Sequence, residues 1–244
     1  MMRRPTVPFL FAVVLMLPAA ASSQELTSDR PDFTESVVVV SRPQLESGYT
    51  LTRTDGISRH AIGELLLRIG LTRRFELRVL ANSYVLTRGN GVEANGIEDA
   101  GIGAKFSLSP RAAVIVGAIF PTGASTETAD GVVPEVLLSL ERPLSESVAL
   151  GANASFASQP GPSGRSGEAS GSIVLGAEIG RRTGVFAEAY GTRVLNGPFR
   201  DHAVFTDVGM TRSITGDLQL DARVGHRLNG AGEWYVGVGL VRRW

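Results

Sequence analysis

The chain has 244 residues, with 24 basic side chains against 24 acidic ones and no cysteine. The even charge gives no reason to expect nucleic acid as a partner, and the missing thiols exclude a disulfide frame, a thiolate metal site and a cysteine nucleophile. Hydrophobic residues make up 43%, but no apolar run of about 18 residues follows the extreme N-terminus, so no transmembrane helix is expected there.

The chain opens on Arg3 and Arg4, a short apolar core at Phe9–Leu17, then Pro18 and Ala19-Ala20-Ala21. A basic start, a short apolar stretch and small residues make an export leader. Residues 1–23 are assigned to it, with cleavage expected after Ala21, or after Ser23 as the alternative. No cysteine follows, so it is not a lipoprotein leader. A bacterial exported protein is expected.

Residues 24–41 come next and contain Asp29-Arg30-Pro31-Asp32-Phe33-Thr34-Glu35. If the rest of the chain encloses a lumen, two readings stand. The segment folds inside as a plug, with Arg30 paired to a wall carboxylate such as Glu46 or Glu188, or it is a periplasmic cap or tail. Asp29, Arg30, Asp32 and Glu35 are the candidate plug residues.

From residue 42 to 244 helical periodicity is hard to find and period-2 alternation dominates, as in strands with two unlike faces. Twelve segments follow: 42–54, 60–71, 75–87, 97–108, 112–120, 132–141, 147–157, 168–180, 184–194, 202–213, 217–228 and 233–244. In 75–86, Phe75, Leu77, Val79, Ala81 and Val85 oppose Glu76, Arg78, Leu80, Asn82 and Tyr84. In 217–228, Leu218, Leu220, Ala222, Val224, His226 and Leu228 oppose Gln219, Asp221, Arg223, Gly225 and Arg227. Residues 112–120 are apolar on both faces, so their orientation stays open.

The links between segments add independent information. Thr72-Arg73-Arg74, Ser109-Pro110-Arg111, Pro143–Glu146, Arg181-Arg182-Thr183 and Ile214-Thr215-Gly216 are tight. Those between them, such as 88–96, 121–134 and 158–167, are mostly longer and rich in Gly, Pro, Ser or Asn. Short and long links therefore alternate, as in an up-and-down barrel with both termini in the periplasm. A soluble sandwich has no reason to sort its loops in this way.

A single all-β, antiparallel transmembrane barrel of about twelve strands is expected over residues 42–244. In lipid every orphan backbone group costs several kcal/mol, and only closure removes the edges of a sheet. The faces opposite the apolar rows carry Glu46, Glu64, Arg68, Glu76, Arg78, Asp99, Lys105, Glu178, Glu188, Asp207, Asp221, Arg223 and Arg227. These are the candidate lumen residues. Salt bridges that stiffen the wall are favoured over a cation-selective path. Strand glycines read mainly as allowing curvature and close approach. Tyr49, Phe106, Phe156, Trp234, Tyr235 and Trp244 read as interface girdles.

The closing stretch GEWYVGVGLVRRW sets Trp234, Val236, Val238, Leu240 and Trp244 on one side, broken by Arg242, which lies near enough to the end to reach the headgroups. A terminal aromatic on an alternating strand is the pattern expected of an assembly signal, so Trp244 is assigned that role. The partners expected are outer-membrane lipid, the barrel assembly machinery acting through the last strand, and small solutes.

Several stretches resemble one family, the outer-membrane barrels of the MetA-pathway of phenol degradation. They are TSDRPDFTESVVVVSRPQLESGYTLTR (27–53), GIEDAGIGAKFSL (96–108), VFAEAYG (185–191) and LQLDARVGHRLN (218–229) with YVGVGLVRRW after it. The resemblance implies an outer-membrane channel for passive passage of small apolar or aromatic molecules. The alternatives are a non-transporting surface barrel and, behind it, a lipid-modifying enzyme. The enzyme reading lacks its parts: His60 and His202 sit at segment ends, and His226 near Ser213 is the only dyad to consider. Neither metal nor cofactor is expected.

Overall fold

The computed structural model describes residues 26–161, 164–195, 202–230 and 232–244. The leader assigned to residues 1–23 lies outside the described residues. Strands form because alternating side chains sort to two faces of a pleated backbone. They are β1 (Gln44–Thr54), β2 (Ile57–Thr72), β3 (Phe75–Gly89), β4 (Val92–Ile97), β5 (Ala100–Ser109), β6 (Ala112–Phe120), β7 (Val133–Pro143), β8 (Val148–Gly161), β9 (Gly164–Glu178), β10 (Thr183–Val194), β11 (His202–Thr215), β12 (Leu218–Arg227) and β13 (Glu233–Arg243).

Each strand pairs antiparallel with its neighbour, and β1 meets β13 in unbroken register from Gln44↔Arg243 to Thr54↔Glu233, which closes the ring. The ring has twelve positions because β4 and β5 share one. The upper part of β3, Tyr84–Gly89, pairs with β4, and its lower part, Phe75–Leu80, pairs with β5. The expected twelve-stranded barrel is therefore present, with one strand position broken in two.

The outer surface is apolar. Val238 is 55% exposed, Val208 52% and Ile173 51%. The charged residues are buried instead: Glu46, Arg68, Glu76 and Lys105 expose no surface. A soluble protein inverts this arrangement, whereas lipid outside and ions inside are what a membrane barrel requires. The ambiguous 112–120 segment resolves as β6, with Ala113 and Ile115 buried inside and Val116 and Phe120 outside.

Several expectations need correction. The segment 88–96 is no open loop. Asn90 (φ 50°) and Gly91 (φ 79°) form a two-residue turn that folds β4 back on β3, and Asp55 (φ 47°) with Gly56 (φ 80°) does the same between β1 and β2. Both residue pairs suit a left-handed hairpin turn. Most of 158–167 is also strand, with β8 and β9 paired out to Gly161↔Gly164. Length at the outer end is thus spent largely on tall strands.

The face assignment fails above one level. Tyr84 is exposed outside and Val85 is fully buried inside, the reverse of strict alternation. The cause is a pair of irregularities on neighbouring strands, Gly63–Glu64 on β2 and Asn82 on β3, where left-handed backbone shifts the register and exchanges the faces. Tyr235 is 4% exposed and points into the lumen, so it belongs to no girdle. His226 and Ser213 form no dyad. Ser213 pairs with Gln219, while His226 Nδ1 lies 3.0 Å from the Glu233 carbonyl oxygen.

Candidate functional site: lumen and N-terminal segment

Residues 26–43 precede β1 and run among the buried luminal side chains. Three cations project inward from adjacent strands: Arg68 from β2, Arg78 from β3 and Lys105 from β5. Unpaired, three buried cations would cost far more than the barrel can spare. Asp29 meets all three. Its Oδ2 lies 2.5 Å from Arg78 Nη1, 2.9 Å from Lys105 Nζ and 3.1 Å from Arg68 Nη1. The Ser36 amide and hydroxyl donate to its Oδ1 at 3.0 and 2.8 Å, so the chain folds around the carboxylate.

Wall carboxylates complete the cluster. Arg68 donates from Nε to Glu76 Oε1 at 2.8 Å and from Nη1 to Glu46 Oε1 at 3.0 Å. Arg78 Nη2 holds both Glu35 oxygens at 2.9 Å. The segment's backbone is bound as well: the Val40 amide donates to Glu76 Oε2 at 2.9 Å, and the Asp29 amide donates to Glu46. Val37, Val39 and Val40 are buried beside it.

Arg30 has its own seat. Nη1 lies 2.5 Å from Glu64 and Nη2 3.4 Å from Asp221. Glu46 and Glu188, the partners expected from the sequence, are engaged elsewhere. Gly48 on β1 and Gly239 on β13 face each other across the closing seam. A Cβ on either would collide with the Arg30 guanidinium. The two glycines therefore form a slot, a use of strand glycines that composition did not reveal.

Across the lumen, Glu188 on β10 accepts from the Phe33 amide at 2.7 Å and from the Thr34 hydroxyl. Phe33 stacks on Tyr190 with ring centroids 4.4 Å apart, and Tyr190 stacks on Phe205 at 4.9 Å. Tyr190 donates to Tyr235, which donates to Asp207 at 2.8 Å. Arg223 lies over the Tyr235 ring at 5.3 Å. The segment is thus bound by ions on one wall and by an aromatic stack on the other. Neither the stack nor Phe33 was singled out from the sequence. The signal available was Tyr190, Phe205 and Tyr235 on the inward parity of three strands.

Two cavities flank the segment. The outer one, about 720 Å³, is lined by Leu80, Ile115, Ile119, Val133 and Leu137 on one side and by Arg78, Arg223 and Glu168 elsewhere. The inner one, about 410 Å³, opens among Glu146, Val148, Glu178 and Phe186 at the end that carries the tight turns. Asp32 and Glu35 line both cavities. Glu178, expected in the lumen, is exposed at that inner mouth.

Asp99 differs from the other candidates. It sits between β4 and β5, where Oδ1 accepts from the Gly123 amide at 2.8 Å and Oδ2 from the Ala129 amide at 2.9 Å. It fixes the 121–132 connection over the lumen, as well as lining the outer cavity. Trp244 donates its amide to the Pro43 carbonyl at 3.1 Å, tying the last residue to the start of the barrel. Among the described residues no group of His, Asp or Glu has the arrangement of a metal site.

A family model described as "Putative MetA-pathway of phenol degradation" matches residues 28–242. No curated protein matches. Among solved structures, the NanC porin is similar at a TM-score of 0.58 and 10% identity, covering 82% of this chain and 100% of that one. The translocator domain of the autotransporter NalP from Neisseria meningitidis is similar at 0.57 and 12% identity, covering 83% and 88%. The CymD monoaromatic hydrocarbon channel is similar at 0.52 and 9% identity, covering 83% and 88%. At such identities the likeness is one of fold, that of bacterial outer-membrane barrels.

Proposed function

The chain belongs to the MetA-pathway phenol-degradation family, and we propose that it lets small apolar or aromatic molecules pass passively across the bacterial outer membrane. The observation that carries this reading is the apolar wall of the outer cavity. Leu80, Ile115, Ile119, Val133 and Leu137 face the interior of a barrel whose other inward positions are mostly polar. Apolar side chains turned towards water gain nothing, whereas against a ring they remove apolar area from water on both sides, at about 25 cal/mol per Å². CymD, a channel for monoaromatic hydrocarbons, agrees with that chemistry.

In this reading residues 26–36 act as a plug. Asp29, Arg30 and Glu35 bind the wall, and Asp32 lies on the divide between the two cavities. A solute travelling the length of the barrel axis passes only when the segment shifts. Lipid packs against the outward rows, and the assembly machinery reads the last strand and Trp244. The reading includes no catalytic step.

Uptake of radiolabelled toluene by cells with a complete lipopolysaccharide layer tests it. Expression should raise the uptake rate above that of cells lacking the protein. Ile115→Asp with Leu137→Asp should return the rate towards background while the barrel still folds. Uptake that is the same with and without the protein overturns the reading.

A further inference from the structure

The outward-facing arginines are sorted by height. On β7, β11 and β13, which descend towards the end with the tight turns, the outward apolar row stops on an arginine. Leu138 and Leu140 lead to Arg142, Val208 and Met210 to Arg212, and Val238 and Leu240 to Arg242. The other descending strands end in the same way. Arg73 directly follows β2, Arg111 lies in the β5–β6 turn and Arg181 in the β9–β10 turn. All six arginines are exposed. Descending strands alternate with ascending ones, so an arginine recurs at about every second position round the whole ring.

The carboxylates at this end go elsewhere. Asp217 is held by Arg42 and by Arg243 Nε, the latter at 3.0 Å. Glu141, Glu146 and Glu178 line the inner cavity. The residues paired across from the outward arginines carry no charge: Leu150 for Arg142, Thr183 and Leu220 for Arg212, Leu45 and Leu218 for Arg242. Arg212 Nη1 donates to Thr183 Oγ1 at 2.5 Å, and among the described residues none of the six is ion-paired. At the outer end two outward cations do have partners. Arg88 faces Glu93 at 3.6 Å, and Arg53 lies over the Trp234 ring at 5.9 Å.

Height decides what these cations meet. A strand climbs about 3.3 Å per residue and a tilt of about 40° reduces this to about 2.5 Å of depth. Trp234 and Arg242 lie eight residues apart on β13, so the row between them covers about 20 Å, most of an apolar band about 25 Å tall. Arg242 and its counterparts therefore stand where acyl chains give way to headgroups. An arginine held in hydrocarbon is costly, but its stem can lie along apolar surface while the head reaches the interface. The planar, weakly hydrated guanidinium fits two oxygens of one phosphate.

We propose that the six arginines form a collar that binds anionic phospholipids of the periplasmic leaflet through their phosphates, gathering them round the barrel in preference to zwitterionic ones. The chemistry selects the occupant. Cations with no carboxylate beside them attract headgroups of net negative charge, whereas a zwitterionic headgroup brings an ammonium group against the guanidinium. An acidic protein would meet one side of the ring. The arginines recur all round it, and they extend rows that face lipid along their length. The inference is independent of what passes through the lumen.

Tryptophan fluorescence tests it. The chain has 2 tryptophans, and Trp244 lies two residues from Arg242. Every sample carries Trp234→Phe, is purified from outer membranes and is reconstituted in liposomes, with heat-modifiable migration on gels confirming a folded barrel. Quenching of Trp244 by phosphatidylglycerol brominated on its acyl chains, in mixtures with phosphatidylcholine, gives the relative binding constant of the two lipids at this end. The intact collar should favour phosphatidylglycerol about fivefold, the effect of one well-placed cation. Arg212→Gln with Arg242→Gln should bring the ratio to about one, while Arg212→Lys with Arg242→Lys should keep most of the preference, because the charge remains. Molar potassium chloride on the intact collar checks the same point without a substitution, since screening should drive the ratio towards one. A ratio near one for the intact collar overturns the proposal. So does a preference that survives the glutamine pair or the salt, or one that the lysine pair loses.

Discussion

Replacing Asp29 by Asn keeps the side chain's size and removes the charge on which three cations converge. Arg68 retains Glu46 at 3.0 Å and Glu76 at 2.8 Å, and Arg78 retains Glu35 at 2.9 Å. Lys105 is left worst off. It loses contacts at 2.9 and 3.0 Å and keeps the Ser36 carbonyl at 3.0 Å and Glu35 at 3.7 Å. Removing one partner of a buried pair costs about 3–5 kcal/mol. Glu35 compensates in part, which places the cost near the lower end, about 3 kcal/mol. Water can relieve that cost only if the N-terminal segment leaves its seat. At about 1.4 kcal/mol per tenfold, the ratio of unseated to seated segment should rise roughly a hundredfold. Single-channel recording in planar bilayers measures this as the fraction of time in the high-conductance state. Asp32→Asn, a neighbour outside the three-cation cluster, should leave that fraction nearly unchanged. If Asp29→Asn folds into a heat-modifiable barrel and gates like the parent, the ion cluster does not hold the segment and the reasoning fails.

Deleting residues 26–36 should give a continuously high conductance, and a conductance equal to that of the full chain would mean that the segment blocks nothing. Gly48→Leu should displace Arg30 from its slot and raise the open fraction, whereas Gly176→Ala, where no atom lies within 4 Å, should not; equal behaviour of the two removes the slot from the account. On the lipid side, Val238→Arg should lower stability by about 2–4 kcal/mol in urea unfolding from liposomes, because this side chain is 55% exposed to acyl chains; no loss would place Val238 outside the bilayer. Removing Trp244 should reduce the amount of heat-modifiable barrel recovered from outer membranes, with Trp244→Phe close to the parent, and equal recovery of all three would deny it an assembly role.

Much of this architecture was legible because a barrel repeats one local rule. Leu220, Val224, Val236 and Val238 alternate with Gln219, Asp221, Tyr235 and Gly237, and the parity alone tells lipid from lumen along β12 and β13. The rule fails where a single residue leaves the extended region. Asn82 sends Tyr84 out and Val85 in, and nothing in the letters around it marks the change beyond asparagine's tolerance of left-handed backbone. Asn90-Gly91 and Asp55-Gly56 did carry a signal. Such pairs are strong hairpin turns, yet the polar residues beside Asn90-Gly91 read as an open loop and hid β4.

The site was legible in kind but not in pairing. Parity placed Arg68, Arg78 and Lys105 inside, and charge balance required carboxylates to meet them, yet the partner that joins all three is Asp29, from outside the barrel strands. Sequence distance carries no information about that contact, because closing the ring brings β2, β3 and β5 around a segment tied to none of them by backbone pairing. The same closure sets Gly48 against Gly239 and so shapes the Arg30 slot. The lumen's irregular features therefore fall into two groups with different origins. Those on the inner side, around Asp29 and Arg30, bind the N-terminal segment through charge that the low-dielectric interior makes strong. Those on the outer side, from Gly63 across Asn82 to Asp99, interrupt the wall with side-chain bonds in place of ladder bonds. A charged lock suits the blocking of ions and water along the axis, and it has little hold on an uncharged ring.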